Sequence, residues 1–392
     1  MQKKVLITGG SGLLAINWAL SIRDNYAVTL LLHHKKISLS GVDTDVASLD
    51  SLDECLSVLV KHQPDIVVHT AGLTNIEECE SNPDLAQEVN VDLAKNIAIA
   101  CSDQGIKLVH ISTDHLFSGD QELVTEESVT NPVNIYGETK LLGEQQVLEN
   151  CKDALIVRTN FFCWGAKYRQ SFSDFILNKL KNNKQSNLFS DVYFTPILVD
   201  ELVKHTHQLI DSNAMGIFNI VGSERMSKYE FGIKLAKHFN FDSGLINKIS
   251  INDKSSLVKR PKDMSLSNTK LCQALNCEIA SFDEQLQTLK KQKNKDADNQ
   301  VVLDIIPYGR HYIDENDIQS VVNVLRHGML TQGPKVFEFE KKVANYVGAK
   351  YAVAVANGTA ALHLTCMALD LGEGDEVLTS PNTFVATSNS IL

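Results

Sequence analysis

No run of apolar residues approaches the ~18 that a membrane-crossing helix requires, so a spanning segment is not expected. Basic residues are in deficit: 37 Lys and Arg stand against 48 Asp and Glu, for a formal net charge of -11. That balance excludes an electrostatic grip on nucleic acid or on an anionic lipid surface, since such binding needs a cationic face that releases counterions. A local cation opposite a phosphate is still compatible with it. The eight cysteines form no Cys-x-x-Cys pair, and Cys272 and Cys277 have no histidine close in sequence. Neither a disulfide framework nor a metal site is therefore expected. Met1-Gln2-Lys3-Lys4 leads straight into a short apolar strand rather than a secretory leader. Together these absences point to a reducing cytoplasm.

What the chain does have is length and apolar content. Its 392 residues, 43% of them hydrophobic, can bury more than one core, so two domains are the starting expectation. Short β-branched runs at 5–8, 27–32, 65–69, 107–112 and 154–158 alternate with helical stretches, and 217–221 is a candidate further strand. The pattern predicts an α/β fold: a doubly wound parallel sheet of Rossmann type covered on both faces, with a smaller substrate-binding part from about 160 to 285. Residues 289–303, polar and charged, read as a linker. Glycine-punctuated helix and strand patterns resume over 304–392. The predicted division is thus 1–288, a linker at 289–303, and a second module at 304–392.

The strand at 5–8 runs into Gly9-Gly10-Ser11-Gly12-Leu13-Leu14-Ala15 and then a helical pattern. Gly9 and Gly12 allow a tight turn and close approach to a pyrophosphate, Ala15 lets the helix pack near the strand, and the helix N-terminus offers unpaired N–H groups. Gly9, Ser11, Gly12, Leu13 and Leu14 are accordingly predicted to bind a dinucleotide. No carboxylate occurs between Asn25 and Val42 to read a ribose 2'-OH, whereas His33 and Lys35 follow the second strand and could meet a 2'-phosphate. NADP(H) is favoured and NAD(H) stays open. Asp45 and Val46 are candidates for the adenine side, Ala71 and Gly72 for passage of the cofactor, and Asn90 for a polar anchor in the sheet.

Tyr136-Gly-Glu-Thr-Lys140 places a phenol and an ammonium on one helix face. A nearby positive charge is expected to lower the tyrosine pKa from its usual value of about 10 and so equip it for proton transfer. Tyr346-Val-Gly-Ala-Lys350 has the same spacing, so context must decide. Tyr136 follows a strand ending in Ile111-Ser112-Thr113-Asp114, which delivers a hydroxyl and a carboxylate to the edge of the sheet where ligands bind. Tyr346 has no such strand or glycine turn upstream.

Six segments, TGGSGLLA, HTAGLTNIEECE, ISTDHLFSG, NPVNIYGETKLLGE, DVYFTPILVDEL and RPKDMSLSNTKL, together make residues 1 to about 290 resemble the extended short-chain dehydrogenase/reductase superfamily. Within it, the likeness is to the dTDP-4-dehydrorhamnose reductases. The resemblance implies Tyr136 as general acid, Lys140 on the nicotinamide ribose, Thr113 on the substrate carbonyl and Asp114 beside the sugar. It also places Phe161 against the sugar where the reductases carry a tryptophan, and His115 where they carry a tyrosine. The implied reaction is NAD(P)H-dependent reduction of the 4-keto group of a nucleotide-linked deoxysugar, in the biosynthesis of surface polysaccharide or nonulosonic acid. Epimerases and dehydratases would use the same Tyr and Lys. A non-catalytic NADP-binding regulatory subunit is a third reading. The helices after Asn90 and Tyr136 are candidates for a homodimer face.

IPYGR at 306–310, LTQGP at 330–334, ANGTAALH at 356–363, GEGDEV at 372–377 and SPNTFVAT at 380–387 resemble PLP-dependent sugar-nucleotide aminotransferases of the DegT type. Among these, the likeness is to the UDP-4-amino-4,6-dideoxy-N-acetyl-altrosamine transaminases. The resemblance implies that Gly358-Thr359-Ala360 would cradle the PLP phosphate and Phe384 would approach its ring. PLP chemistry needs a Schiff-base lysine, and none follows Lys350. PLP is therefore not expected to function in this module.

Overall fold

The computed structural model describes residues 2–33, 35–166, 168–254, 256–293, 302–303, 313–331, 333–380 and 383–391. Contacts divide the chain into Met1–Ile306 and Pro307–Leu392.

The first unit is organised by a seven-stranded sheet. Its strands are β1 Lys4–Thr8, β2 Ala27–Leu32, β3 Asp43–Val46, β4 Ile66–His69, β5 Lys107–Ile111, β6 Leu155–Arg158 and β7 Gly216–Asn219. Their order across the sheet is β3-β2-β1-β4-β5-β6-β7, and every pairing is parallel. The order reverses between β1 and β4, which opens a crevice at their carboxyl ends. Near-continuous apolar runs suit strands buried on both faces. Val5 and Ile7 of β1 pack with Trp18 and Leu202 on one side, while Leu6 packs with Cys55, Ala98 and Cys101 on the other. The edge strand β3 was not readable as an apolar run because its sequence, Asp-Thr-Asp-Val, is half acidic and largely exposed.

Helix α1, Leu13–Ile22, starts at Gly12 with no acidic residue in its first turn, and its Ala15 and Trp18 are fully buried. Helices α2, Leu52–His62, and α3, Leu93–Gln104, cover the opposite face of the sheet. Helix α4, Ile135–Asn150, begins at Asn134, whose side chain accepts from the Gly137 N–H at 2.9 Å. That helix carries no simple apolar stripe: Tyr136, Thr139, Lys140 and Glu144 are all buried. Glu144 is forked on Arg158 of β6 at 2.7–3.2 Å, which pins the helix to the sheet through a desolvated ion pair.

The part outside the sheet contains α5, Phe172–Lys181, α6, Val199–Asp211, α7, Lys228–His238, and α8, Phe282–Lys293. Phe231 of α7 sits 5.5–5.6 Å from the rings of Phe162, Phe172, Phe194 and Phe282, and all of these but the exposed Phe172 form a separate core with Leu286 and Leu289. The linker expected at 289–303 is shorter at its start. Phe282, Leu286 and Leu289 recur at helical spacing and are buried, so α8 continues to Lys293. At its end, 302–303 pair antiparallel with Ile37–Ser38. The intervening 294–301 lie outside the described residues.

The second unit, taken by itself, holds helices α9, Glu315–His327, α10, Pro334–Val347, and α11, Gly358–Ala368. Their ends follow local chemistry: Asp314 closes a capping box, Gly348 ends α10 at φ 71, and Asn357 caps Ala360 at 2.9 Å. Among the described residues no strand forms here, since strand-like runs need a neighbouring backbone to pair with. The IPYGR segment falls outside the described residues.

Candidate active site

The glycine turn is shaped by contact with the loop after β4. Gly9 has φ +66, and a Cβ there would lie 2.9 Å from the Ala71 backbone. The Gly12 N–H closes the turn on the Gly9 carbonyl at 2.8 Å. Thr70 donates to the Thr8 carbonyl at 2.6 Å, and the Ala71 N–H reaches the Thr8 hydroxyl at 3.3 Å. Side chains larger than hydrogen are thus excluded where two backbones must run together.

Asn90 belongs to a π-helical stretch, Glu88–Asp92, and does not anchor the sheet as expected. Its amide brackets Leu73, accepting from the N–H at 2.8 Å and donating to the carbonyl at 3.1 Å, and it also donates to Thr139 of α4 at 3.1 Å. A Cβ on Gly143 would stand 2.3 Å from the Asn90 carbonyl. The loop carrying Ala71 and Gly72 is therefore coupled directly to the helix carrying Tyr136.

A cleft of about 480 Å³ opens at the crevice, and its wall joins the glycine turn to the end of β5 and the start of α4. Gly9, Ser11, Gly12, Leu13 and Leu14 line one side, with Ala71 and Gly72 beside them. Thr113, Asp114, Tyr136, Lys140 and Phe161 line the other. His33, Lys35, Asp45 and Val46 lie outside this wall. The Asp45 carboxylate is held by Lys61 at 2.6 Å and His62 at 2.7 Å, while Lys35 stands 4.2 Å from the Tyr168 ring centre.

Electrostatics in the cleft differ from the expectation for Tyr136. Its phenol is pushed up from the ordinary value by burial, which outweighs a hydrogen bond from Thr113, and Asp114 pushes it further. The Lys140 ammonium is itself buried and donates to the Ile111 carbonyl at 2.7 Å; desolvation brings its pKa down to about 8, against the opposing effect of Glu144. Both members of the pair line the cleft, but burial reverses the sign of the predicted tyrosine shift. Thr113 donates to Asp114 at 3.3 Å, and Asn160 holds the other Asp114 oxygen at 2.5 Å. The His115 ring meets Tyr136 edge-on at 5.4 Å, and its buried Nδ1 has no hydrogen-bond partner among the described residues.

Sequence reasoning missed Asn160 as a partner of Asp114 and Arg169 as part of the cleft wall. It also missed Lys228 and Arg260, whose charges act on His115; Lys228 is brought down to about 8 by burial, with Asp114 opposing. Asn160 lies two residues beyond β6, a position that could have flagged it. Lys228 and Arg260 come from distant segments and carry no spacing signal.

Residues 3–294 match the RmlD substrate binding domain model, and residues 311–392 match the DegT/DnrJ/EryC1/StrS aminotransferase family model. Over 289 residues the chain is 26% identical to the "Probable low-salt glycan biosynthesis reductase Agl14" of Haloferax volcanii, covering 72% of this chain and 96% of that protein. It is 31% identical to methionine adenosyltransferase 2 subunit beta of Rattus norvegicus over 69% of this chain and 82% of that one. A dTDP-4-dehydrorhamnose reductase from Bacillus anthracis, solved in complex with NADP, superposes with a TM-score of 0.65 at 26% identity, covering 74% of this chain and all of that one. With a dinucleotide-type crevice, a buried Tyr-Lys pair and a match spanning most of its length, the chain belongs to the RmlD substrate binding domain family.

Proposed function

We propose that residues 1–288 form an NAD(P)H-dependent oxidoreductase that reduces the 4-keto group of a nucleotide-linked deoxysugar. The observation that carries this reading is convergence: Thr113, from the segment after β5, and Tyr136 and Lys140, from α4, share one cleft with the glycine turn. Relatives named as a glycan biosynthesis reductase and as a dTDP-4-keto-6-deoxy-D-glucose reductase support it, as does the NADP-bound fold neighbour.

The residues present fit a dinucleotide. A turn with no room for a Cβ at Gly9, leading into a helix without acidic residues in its first turn, suits a diphosphate. His33 and Lys35, exposed after β2, favour a 2'-phosphate and hence NADP(H). When bound, the nicotinamide supplies the hydride. Tyr136 keeps its proton through neutral pH because burial disfavours the phenolate, and it holds that proton toward the ketone oxygen. Thr113, whose hydroxyl donates to Asp114 in the unliganded cleft, would turn its proton to the same oxygen and give the developing charge a second donor. Lys140, anchored on Ile111, keeps a positive charge beside the phenol and reaches the cofactor ribose. Asp114, braced by Asn160, and Phe161 flank the sugar.

A second reading, a dinucleotide-binding subunit without turnover, draws on the 31% identity to methionine adenosyltransferase 2 subunit beta. The two part in one assay. NADPH oxidation with dTDP- and UDP-linked 4-keto-6-deoxy sugars is the expected result. Tight NADPH binding with no oxidation on any of these sugars would overturn the reductase reading in favour of the second.

A further inference from the structure

One side chain in the cleft has no role in the chemistry above. Arg169 lines the cleft together with Gly9, Ser11 and Gly12, although it comes from the segment before α5, outside the sheet. Among the described residues no carboxylate is paired with its guanidinium.

The segment that carries it is held in place. Ala166 and Arg169 exchange both backbone hydrogen bonds, at 3.0 and 2.9 Å, in a tight hairpin. Asp174, in the first turn of α5, accepts from the Gly165 N–H at 2.7 Å and from the Ser171 N–H and hydroxyl at 2.9 and 2.7 Å. A Cβ on Gly165 would stand 2.4 Å from the Arg169 carbonyl, so the base of the hairpin admits only glycine without rearrangement. From this hairpin the Tyr168 hydroxyl donates to the Ser11 carbonyl at 2.9 Å, and Lys35 stacks on the Tyr168 ring. A residue of the substrate-side part is thereby tied to the glycine turn itself, and its neighbour is an arginine.

We propose that Arg169 is a clamp for the diphosphate of the dinucleotide, with Tyr168 as the post that positions it. The inference rests on the dinucleotide reading of the cleft. Lys140 and Arg169 are the lysine and arginine of the wall, and Lys140 is engaged at Ile111, beside Tyr136. The glycine turn offers N–H donors but no charge of its own, and Arg169 supplies the positive charge there. A guanidinium matches phosphate oxygens in a bidentate fork, and such a contact is among the stronger hydrogen bonds a protein makes. The clamp also divides labour: Arg169 acts on what NADP and NAD share, whereas Lys35, on the outer face of Tyr168, acts on the 2'-phosphate that distinguishes them.

The test is the dissociation constant of NADPH and of NADH for the full chain, measured by titration calorimetry in wild type, Arg169→Ala, Arg169→Lys and Tyr168→Phe. Arg169→Ala is expected to weaken both dinucleotides by a similar factor, about 10- to 100-fold, with Arg169→Lys between it and wild type. Tyr168→Phe is expected to weaken both by about fivefold. Because Arg169 is exposed, thermal unfolding of the cofactor-free variants should match wild type, which separates lost binding from lost folding. Wild-type affinity in Arg169→Ala would overturn the clamp. So would loss confined to NADPH, which would move Arg169 to the 2'-phosphate, or a raised KM for the sugar nucleotide with unchanged dinucleotide affinity. Failure of the wild-type chain to bind either dinucleotide would overturn the underlying reading instead.

Discussion

Tyr136 and Lys140 in the first unit and Tyr346 and Lys350 in the second share a spacing and lie in or beside a helix, yet Tyr136 is 8% exposed and Tyr346 92%. The difference extends to the units as wholes. Met1–Ile306 buries its apolar residues on both faces of a sheet and in an aromatic core. In the second unit Ala344 and Ala386 are the buried apolar residues among those described, while Phe337, Tyr346 and Leu378 are largely exposed. Helices form in both because capping and intrahelical hydrogen bonds are local. A strand, a core and a pKa shifted by burial need distant segments, and the first unit has them. Side-chain spacing describes a possible site; burial by the rest of the chain makes it a chemical one.

The largest expected effect bears directly on this contrast. Tyr136→Phe should lower the rate of ketone reduction by about 10²- to 10⁴-fold in an NADPH-oxidation assay while NADPH affinity stays at its wild-type level. Tyr346→Phe should change neither, and a comparable loss there would erase the distinction. Next is stability. Phe231→Ala should destabilise the first unit by about 3–5 kcal/mol in denaturant titrations of the full chain, because four aromatic neighbours lose a partner. Phe337→Ala, at 72% exposure, should leave unfolding unchanged; a clear destabilisation would mean that its face is covered in solution. The smallest effect is a pH dependence. Lys140 carries its charge below about pH 8 and loses it above, whereas Tyr136 stays protonated across that range. The kcat/KM for ketone reduction should therefore be level up to about pH 8 and fall by about tenfold per unit beyond it. The activity remaining in Lys140→Arg should lack that alkaline limb, since guanidinium does not titrate there.

Much of the first unit was legible because its signals are local or periodic. The glycine turn sits between an apolar strand and a helix, the strands are β-branched runs, and Thr113 and Asp114 follow one of them. The extent of the acidic strand β3 was not legible, since an edge strand needs no apolar faces: Asp45 and Val46, expected just after it, belong to it. Nor was the raised pKa of Tyr136, because the desolvation that causes it comes from residues far along the chain. Arg169, Lys228 and Arg260 were hidden for the same reason: which cleft a long polar side chain borders is set by segments far along the chain and leaves no local signal. The linker start was misread because Leu289 is a single apolar residue among lysines and glutamines, and the depth at which it packs is set by Phe282 and Leu286.

The close approach of Gly143 to Asn90 has a bearing on how this protein can change. Since the amide of Asn90 grips the loop beside the glycine turn and its carbonyl abuts the helix of Tyr136, a substitution that displaces that loop would be felt at the helix as well. If the cleft serves as proposed, changes of sugar preference are expected at Phe161 and His115 on its wall rather than along this tie.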